Sequence, residues 1–208
     1  MKKIGILTRK LKSSTNVDLN AIPFTYLDIF NKEFYPIIID SATSLSTHKE
    51  ELYNQIKDIN GFIVPGGNDI SEIDLCIIDY CYNNDIPLLG ICLGMQEIGY
   101  YFDKKAIVPL NTLKHFDMNK KYLHTITLNK KGYLYNLLKQ ETIPVNSRHK
   151  YHLLKNEKYT IEATNKNIIE AIKVKNKKYI IGLQFHPEIM YYYDKNAILI
   201  INDFLNHC

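Results

Sequence analysis

The sequence contains no run of about 18 apolar residues, which is the length that a helix needs to cross a membrane. It also has no charged and then apolar leader, so we expect a soluble, cytoplasmic protein. Its few cysteines have neither the spacing of a metal site nor the density of a disulfide framework, which fits a reducing compartment. They are Cys76, Cys81, Cys92 and Cys208.

Strong charge asymmetry is absent as well. The net charge of +4 comes from scattered lysines, whereas nucleic-acid binding would need a basic face interleaved with aromatic side chains. We therefore expect neither nucleic acid nor membrane as a partner. Low-complexity linkers and internal repeats are also missing, and 208 residues suit one α/β domain with a sizeable core. The predicted organisation is a single domain over residues 1–208, and its oligomeric state is left open.

The apolar segments of the first half alternate between strand-like and helix-like patterns. Such alternation predicts a mostly parallel sheet flanked by helices, with functional groups at the carboxyl ends of strands. Beyond Phe102 the segments look like antiparallel strands, so the fold class is α/β with a smaller antiparallel portion in the C-terminal half. Predicted strands are 4–7, 35–39, 61–64, 87–90, 123–128, 142–145, 159–163, 168–174 and 179–185; predicted helices are 23–34, 71–84, 134–139, 194–206, one that follows the elbow strand, and one capped by Ser46 or Thr47 that ends near Lys57.

The most informative segment is 87–96, where a short apolar run ends in Gly-x-Cys-x-Gly ahead of a helix-like stretch. Strand, tight turn and helix in this order are typical of a nucleophile elbow. Gly90 and Gly94 lack the Cβ atoms that would collide where strand and helix approach each other. Cys92 would lie at a helix N-terminus, where the helix dipole favours thiolate over thiol. A buried cysteine in an ordinary turn is the alternative, and this motif alone does not decide between the two.

The second informative segment is 182–188, where a strand ends in His186 and Glu188 follows two residues later. A thiol nucleophile needs a base that takes its proton and returns it to the leaving group, and an acid that orients the base. Cys92, His186 and Glu188 can fill these three roles if the strand end lies beside the elbow. We therefore predict that they form a catalytic triad.

Residues 90–96 and 184–188 together resemble the class I glutamine amidotransferase superfamily, whose triad is Cys, His and Glu. The resemblance extends over nearly the whole chain, from Ile4 to the last helix. It implies that backbone N–H groups of Gly67 and Leu93 hold the oxyanion that forms during acyl transfer. Gly67 belongs to a glycine turn directly after a predicted strand, and Leu93 follows the nucleophile.

Within that superfamily, residues 145–149 (Val-Asn-Ser-Arg-His) and the opening 4–9 look like the γ-glutamyl-γ-aminobutyrate hydrolase-like family, peptidase C26. There the first segment is expected to border the glutamyl pocket, because a free α-amino and α-carboxyl group need fixed polar partners. The implied substrate-binding residues are Gly66, Gln96, Ser147, Arg148 and His149.

Each of these assignments has a structural alternative. Ser147 and His149 could instead form a surface turn, and Gln96 could face solvent. His115, His124 and His152 are interpreted as structural or solvent-facing.

The activity expected first is that of a γ-glutamyl hydrolase. Synthetase-linked glutaminases pass ammonia to a second domain or subunit, and the sequence shows no acceptor domain. Cys92 would attack the γ-amide of a γ-glutamylated amine or phosphoramidate, form a γ-glutamyl thioester and release glutamate. Neither a metal nor an organic cofactor is expected. The amine is left open, because 68–70 is shorter than the matching family insertion, and because Leu93 stands where the polyamine branch often has arginine.

Two other functions remain open. The chain could be a glutaminase subunit that delivers ammonia from glutamine to a separate synthase, and Leu93 is common in such glutaminases. It lacks the His-Met-Gly-Trp type of segment expected of the histidine-pathway subunit. It could also be a catalytically silent binding protein on the same fold, although the intact triad argues against this.

Overall fold

The computed structural model describes residues 1–30, 33–40, 49–112 and 114–208. The strands are β1 (Lys2–Leu7), β2 (Arg9–Lys12), β3 (Asp18–Ala21), β4 (Phe34–Ile39), β5 (Gly61–Val64), β6 (Leu88–Ile91), β7 (Ile107–Pro109), β8 (His124–Leu128), β9 (Thr142–Val145), β10 (Tyr151–Leu153), β11 (Tyr159–Asn165), β12 (Ile168–Val174) and β13 (Ile180–Leu183). The helices are α1 (Lys49–Ile56), α2 (Glu72–Asn84), α3 (Leu93–Phe102), α4 (Tyr133–Leu138), α5 (Pro187–Met190) and α6 (Lys195–His207).

Nine of the described strands form one mixed sheet in the order β4-β1-β5-β6-β13-β12-β11-β8-β9. The first five are parallel to one another, and the strands from β13 to β9 pair antiparallel. β13 therefore joins the two halves, being parallel to β6 and antiparallel to β12. The predicted fold class, a mostly parallel sheet with a smaller antiparallel portion, is confirmed.

Helices cover both faces of the sheet. Along β5 the side chains alternate, so that Phe62 and Val64 join one apolar cluster and Ile63 joins the other. Phe204 of α6 belongs to the cluster of Ile63, and Ile98 of α3 to that of Phe62. No helix in the described part of the chain is long and apolar enough to cross a membrane. The single-domain organisation stays a prediction.

The pairing of β6 with β13 positions the predicted site. In the parallel register Gly182 lies opposite Gly90, and Leu183 lies opposite Ile91. Parallel strands end at the same edge of a sheet, so the residues that follow them lie close together. Cys92 follows β6 directly, and its backbone N–H donates to the carbonyl of Leu183 at 2.7 Å.

One predicted helix is wrong. The structure has only a 3-10 turn at Phe24–Tyr26 where residues 23–34 were expected to be helical, and the β2–β3 hairpin precedes it. The apolar pattern misled because buried Tyr26 and Ile29 lie three residues apart, a spacing that a tight i to i+3 turn also satisfies. Phe24, which a helix would have used for its apolar face, is 80% exposed. Residues 31 and 32 of this prediction lie outside the described residues.

The other predicted elements agree more closely with the structure. The predicted strands Gly61–Val64, Thr142–Val145 and Ile168–Val174 have the bounds that the structure gives them. The segment 179–185 is predicted to be an antiparallel strand, whereas β13 is antiparallel to β12 and parallel to β6. The short pair β7 and β10 was not predicted. The expected caps Ser46 and Thr47 lie outside the described residues.

Candidate active site

Cys92 occupies a strained turn between β6 and α3. Its φ of 54° and ψ of −101° are outside the regions that side-chain-bearing residues prefer, which costs of the order of 1–3 kcal/mol. The two glycines permit this turn. A Cβ at Gly94 would lie 2.1 Å from the carbonyl oxygen of Val64, and one at Gly90 would lie 2.7 Å from Gly94. The geometry is that of a nucleophile elbow.

His186 and Glu188 lie at the end of β13, as the sequence predicted. His186 Nδ1 is 2.8 Å from Glu188 Oε1, and both side chains are buried. Burial alone would lower the pKa of His186, but the Glu188 carboxylate and the neighbouring Cys92 side chain raise it to about 10. The structure therefore brings the three residues together, with an imidazole that keeps its proton at neutral pH beside the sulfur.

The sequence did not single out Asn146, which fixes the backbone of His186. Its Oδ1 accepts from the His186 N–H at 2.8 Å, and its Nδ2 donates to the His186 carbonyl at 3.0 Å. The sequence offered two signals for Asn146, its place directly after an apolar strand, here β9, and its place inside the segment 145–149. Asn146 therefore holds the backbone of His186, and it forms no described hydrogen bond with the sulfur of Cys92.

The glycine turn after β5 borders the same site. A Cβ at Gly66 would lie 2.8 Å from His186 Cε1 and 3.4 Å from Cys92 Cβ. The Gly66 N–H donates to the hydroxyl of Tyr26 at 3.1 Å, and the Gly66 carbonyl accepts from Arg9 Nε at 3.1 Å. Both backbone groups of Gly66 thus have protein partners, which holds the turn in one conformation.

This arrangement turns the Gly67 N–H away from Arg9. The carbonyl of Gly66 and the N–H of Gly67 belong to one peptide, and in a trans peptide they point in opposite directions. The N–H of Gly67 forms no hydrogen bond with the described residues. Leu93 begins α3, so its N–H has no helical acceptor. The two amides predicted for the oxyanion therefore have no acceptor among the described residues, and their role stays a prediction.

The sequence analysis also missed Arg9, which holds the glycine turn by donating to its backbone carbonyls. Its guanidinium is buried, pairs closely with Asp74, lies 3.4 Å from Glu97 Oε2 and donates to the Pro65 carbonyl at 2.5 Å. Burial raises the pKa of both Asp74 and Glu97, and their mutual repulsion adds to this for Glu97, while Arg9 opposes it. An arginine beside two buried carboxylates is expensive to leave unpaired. We infer that this cluster holds the carbonyls of the turn in place.

Gln96 is buried rather than solvent-facing. Its side-chain Nε2 donates to Gln184 Oε1 at 3.1 Å and to the Tyr151 carbonyl at 3.2 Å. The side chain therefore links α3 to β10 and to the residue that follows β13. A contact with the glutamyl moiety stays a prediction.

Ser147 and His149 are buried, so the alternative of a surface turn is wrong. The Ser147 hydroxyl donates to the His115 carbonyl at 2.7 Å, and the His149 backbone N–H donates to the same oxygen at 3.0 Å. Arg148 donates through Nη2 to the Met118 carbonyl at 2.9 Å. These contacts fix residues 145–149 against 115–118, and substrate binding by the three side chains stays a prediction.

Two of the histidines interpreted as structural or solvent-facing contact a buried carboxylate that the sequence analysis missed. His115 and His124 both approach Glu170 of β12. A charged residue inside an otherwise mostly apolar strand was the available signal. His152 is half-buried, with Nδ1 3.1 Å from the Leu153 carbonyl.

Comparisons with known proteins agree with this fold. A family model described as glutamine amidotransferase class-I matches residues 32–206. Anthranilate synthase component 2 of Cyanophora paradoxa is 34% identical over 165 residues, which cover 74% of this chain and 80% of that protein. CTP synthase of Thermosipho africanus is 27% identical over 225 residues, or 89% of this chain and 42% of the synthase. The chain thus spans less than half the length of the CTP synthases that it matches, 42% for the Thermosipho africanus protein and 33% for that of Chlamydia muridarum.

Among solved structures, the glutaminase domain of Trypanosoma brucei CTP synthase with bound acivicin has a TM-score of 0.73 and 16% identity, covering 99% of this chain and 94% of that one. At this identity the likeness shows the fold. The match of the family model over most of the chain identifies the protein as a member of the class-I glutamine amidotransferase family. A closer kinship with the peptidase C26 family stays a prediction.

Proposed function

We propose that the protein hydrolyses the side-chain amide of glutamine and delivers the ammonia to a separate synthase. The observation that carries this proposal is the placement of Cys92, on its strained elbow, beside the His186–Glu188 pair in a member of the class-I glutamine amidotransferase family. Relatives named as a CTP synthase and as component 2 of anthranilate synthase support a role in a synthase. They favour this function over the γ-glutamyl hydrolase that the sequence analysis placed first.

The proposed reaction follows from the positions of the groups. The Cys92 thiolate attacks the γ-carbonyl carbon, and the amides of Gly67 and Leu93 donate to the oxyanion. The His186 imidazolium, held by Glu188, gives its proton to the departing nitrogen, so that ammonia leaves and a γ-glutamyl thioester remains on Cys92. His186 then takes a proton from water, which attacks the thioester and releases glutamate and the thiolate.

Hydrolysis of a larger γ-glutamyl amide is the second candidate. One observation favours it: residues 68–70, which follow the glycine turn, form a short and exposed loop. The matching insertion in the γ-glutamyl hydrolase-like family is longer and would border the leaving group, so a short loop leaves room for a bulky amine.

Glutamate release separates these functions. Purified protein is incubated with glutamine and, in parallel, with a panel of γ-glutamyl amides and phosphoramidates, with Cys92→Ala as the blank. Turnover of glutamine, accelerated when a synthase encoded by a neighbouring gene is added, supports ammonia delivery. Efficient turnover of a γ-glutamyl amide with no turnover of glutamine would instead establish the second candidate. If neither is cleaved and acivicin does not add to Cys92 in intact-mass spectra, the protein is a silent member of the family.

A further inference from the structure

Three imidazoles surround one buried carboxylate in the antiparallel half of the sheet. His124 Nε2 lies 3.0 Å, His115 Nδ1 3.2 Å and His149 Nε2 3.7 Å from the same oxygen, Oε1 of Glu170. Glu170 is fully buried, and His115 and His149 are at least 95% buried. The steps of the proposed acyl transfer involve none of the four side chains, although the family resemblance predicts that His149 binds substrate, so the cluster needs a separate explanation.

Hydrogen bonding within the described residues does not satisfy this cluster. Both oxygens of Glu170 and the three facing nitrogens lack a partner with hydrogen-bond geometry, although the shorter contacts are at ion-pair distance. An ionised carboxylate that is buried without hydrogen-bond partners requires positive charge close to it.

The hydrogen bond of His149 shows which of its ring nitrogens carries a hydrogen, and this indicates what kind of cation can lie beside Glu170. Its Nδ1 lies 2.8 Å from the Tyr151 carbonyl, and a carbonyl can only accept, so Nδ1 carries a hydrogen. In the neutral ring Nε2 then presents a lone pair to the Glu170 carboxylate. Two facing electron pairs repel unless a cation lies between them. Histidines that bind metals commonly donate their other N–H to a backbone carbonyl, as His149 does.

We propose that His115, His124 and Glu170 bind a divalent transition-metal ion of the Zn²⁺ type, with His149 Nε2 as the fourth ligand. The ligand atoms of the first three lie within 4.8 Å of one another. Bonds of about 2 Å place the ligand atoms of a tetrahedral zinc site about 3.3 Å apart, which is close to the three distances from Glu170 Oε1. Imidazole-rich sites suit zinc and similar ions, whereas Ca²⁺ and Mg²⁺ prefer oxygen ligands.

The cluster lies beside a cavity and is linked to the active site by hydrogen bonds. The cavity, of about 750 Å³, is lined in part by His115 and His124. The carbonyl of His115 accepts the two hydrogen bonds that hold residues 147 and 149, and the backbone N–H of Gln184 donates to the Glu170 carbonyl at 2.8 Å. A bound ion would therefore fix the segment that carries Asn146 and the strand that carries His186. The acyl transfer itself still needs no metal.

Metal binding is measured on the full chain carrying Cys92→Ala, because the Cys92 thiol and His186 could otherwise bind zinc themselves. The protein is freed of metal with a chelator and titrated with Zn²⁺ against a chromophoric competitor. We expect one equivalent to bind, and Co²⁺ in its place to give the visible absorption of a tetrahedral site. Because losing even an outer-shell partner costs about 10- to 100-fold in metal affinity, Glu170→Gln and His124→Gln should each weaken Zn²⁺ binding by at least about 100-fold.

His207→Gln is the matched control, since it removes a histidine beside Cys208 and Asp203 at the far end of α6. Its affinity should equal that of the parent. Circular dichroism checks folding, and if the buried Glu170→Gln variant does not fold, the less buried His124 decides. Unchanged Zn²⁺ affinity in His124→Gln, or binding that only His207→Gln abolishes, would overturn the proposal. Absence of any bound equivalent would do the same and leave charged imidazoles as the partners of Glu170.

Discussion

Asn146 exchanges two hydrogen bonds with the backbone of His186, one through each end of its side-chain amide. Asn146 follows β9 at the outer edge of the antiparallel half, whereas His186 follows β13 at the boundary with the parallel half. The position of His186, the proposed catalytic base, therefore depends on both halves of the sheet. Cys92 instead lies between β6 and α3, and its backbone N–H bonds to the end of β13.

Replacing Asn146 with alanine should lower kcat for glutamine about 10- to 100-fold, because a small displacement of the base is enough to cost this much. KM should change little, since both ends of the Asn146 amide are engaged by the backbone of His186. Steady-state kinetics separate the two constants. Asn83→Ala, on the exposed face of α2, is the control and should behave as the parent. A rise in KM at constant kcat would assign Asn146 to substrate binding instead.

Replacing Glu188 with glutamine should move the alkaline limb of the pH profile to lower pH. In the parent the pKa of His186 is raised to about 10, so the imidazole keeps the proton that it must give to the leaving nitrogen until the pH approaches that value. Removing the carboxylate removes a charge that stabilises the imidazolium, and the pKa of His186 falls. The measurement is kcat/KM for glutamine from neutral pH to above pH 10. An unshifted alkaline limb in the variant would show that another group sets it.

Replacing Arg9 with methionine should destabilise the fold by about 3–5 kcal/mol, since it leaves Asp74 and Glu97 buried without their cation. Urea unfolding measures this loss. The triple variant with Asp74→Asn and Glu97→Gln should recover most of the stability but not the activity, because the carbonyls of Pro65 and Gly66 still lack their donor. If the triple variant has the kcat of the parent, Arg9 has no part in holding the glycine turn after β5.

Replacing Gly66 with alanine tests how closely the turn approaches the base. The φ of Gly66 is not positive, so alanine suits the backbone and the only conflict is the new methyl group, 2.8 Å from His186 Cε1. We expect kcat to fall about 100-fold through displacement of the imidazole, with a much smaller effect on unfolding. The prediction is contradicted if Cys92 of this variant is alkylated as fast as in the parent and with the same pH dependence, since Cys92 and His186 would then be undisturbed.

The parallel strands and the Cys92, His186 and Glu188 positions were predictable because their signals are local. Apolar runs, glycines and short motifs are read within a few residues of one another. The supporting contacts were not predictable, since Arg9 meets Glu97, and His115 meets Glu170, across long stretches of chain. A single sequence shows where a polar residue stands but not what faces it.

The failed helix at 23–34 has a tertiary cause. Tyr26 is needed under the glycine turn, where its hydroxyl accepts from Gly66, and a single tight turn places it there. Propensity and apolar spacing describe only the segment itself, so a requirement set by a distant loop overrides them. The same limit explains why Ser147 and His149 could be read as a surface turn.

Comparing Cys92→Gly with Cys92→Ala tests the strain of the elbow. Both variants lack the nucleophile and should hydrolyse no glutamine; retention of even a tenth of the parent activity would refute the proposed mechanism. Glycine normally destabilises a protein relative to alanine, because its unfolded chain is freer. At the φ of 54° and ψ of −101° of residue 92 the order should invert, since glycine alone adopts this conformation without strain. Urea unfolding should show Cys92→Gly to be the more stable by about 1 kcal/mol. If Cys92→Ala is the more stable variant instead, the turn is not strained, and backbone strain does not fix the position of the Cys92 thiol.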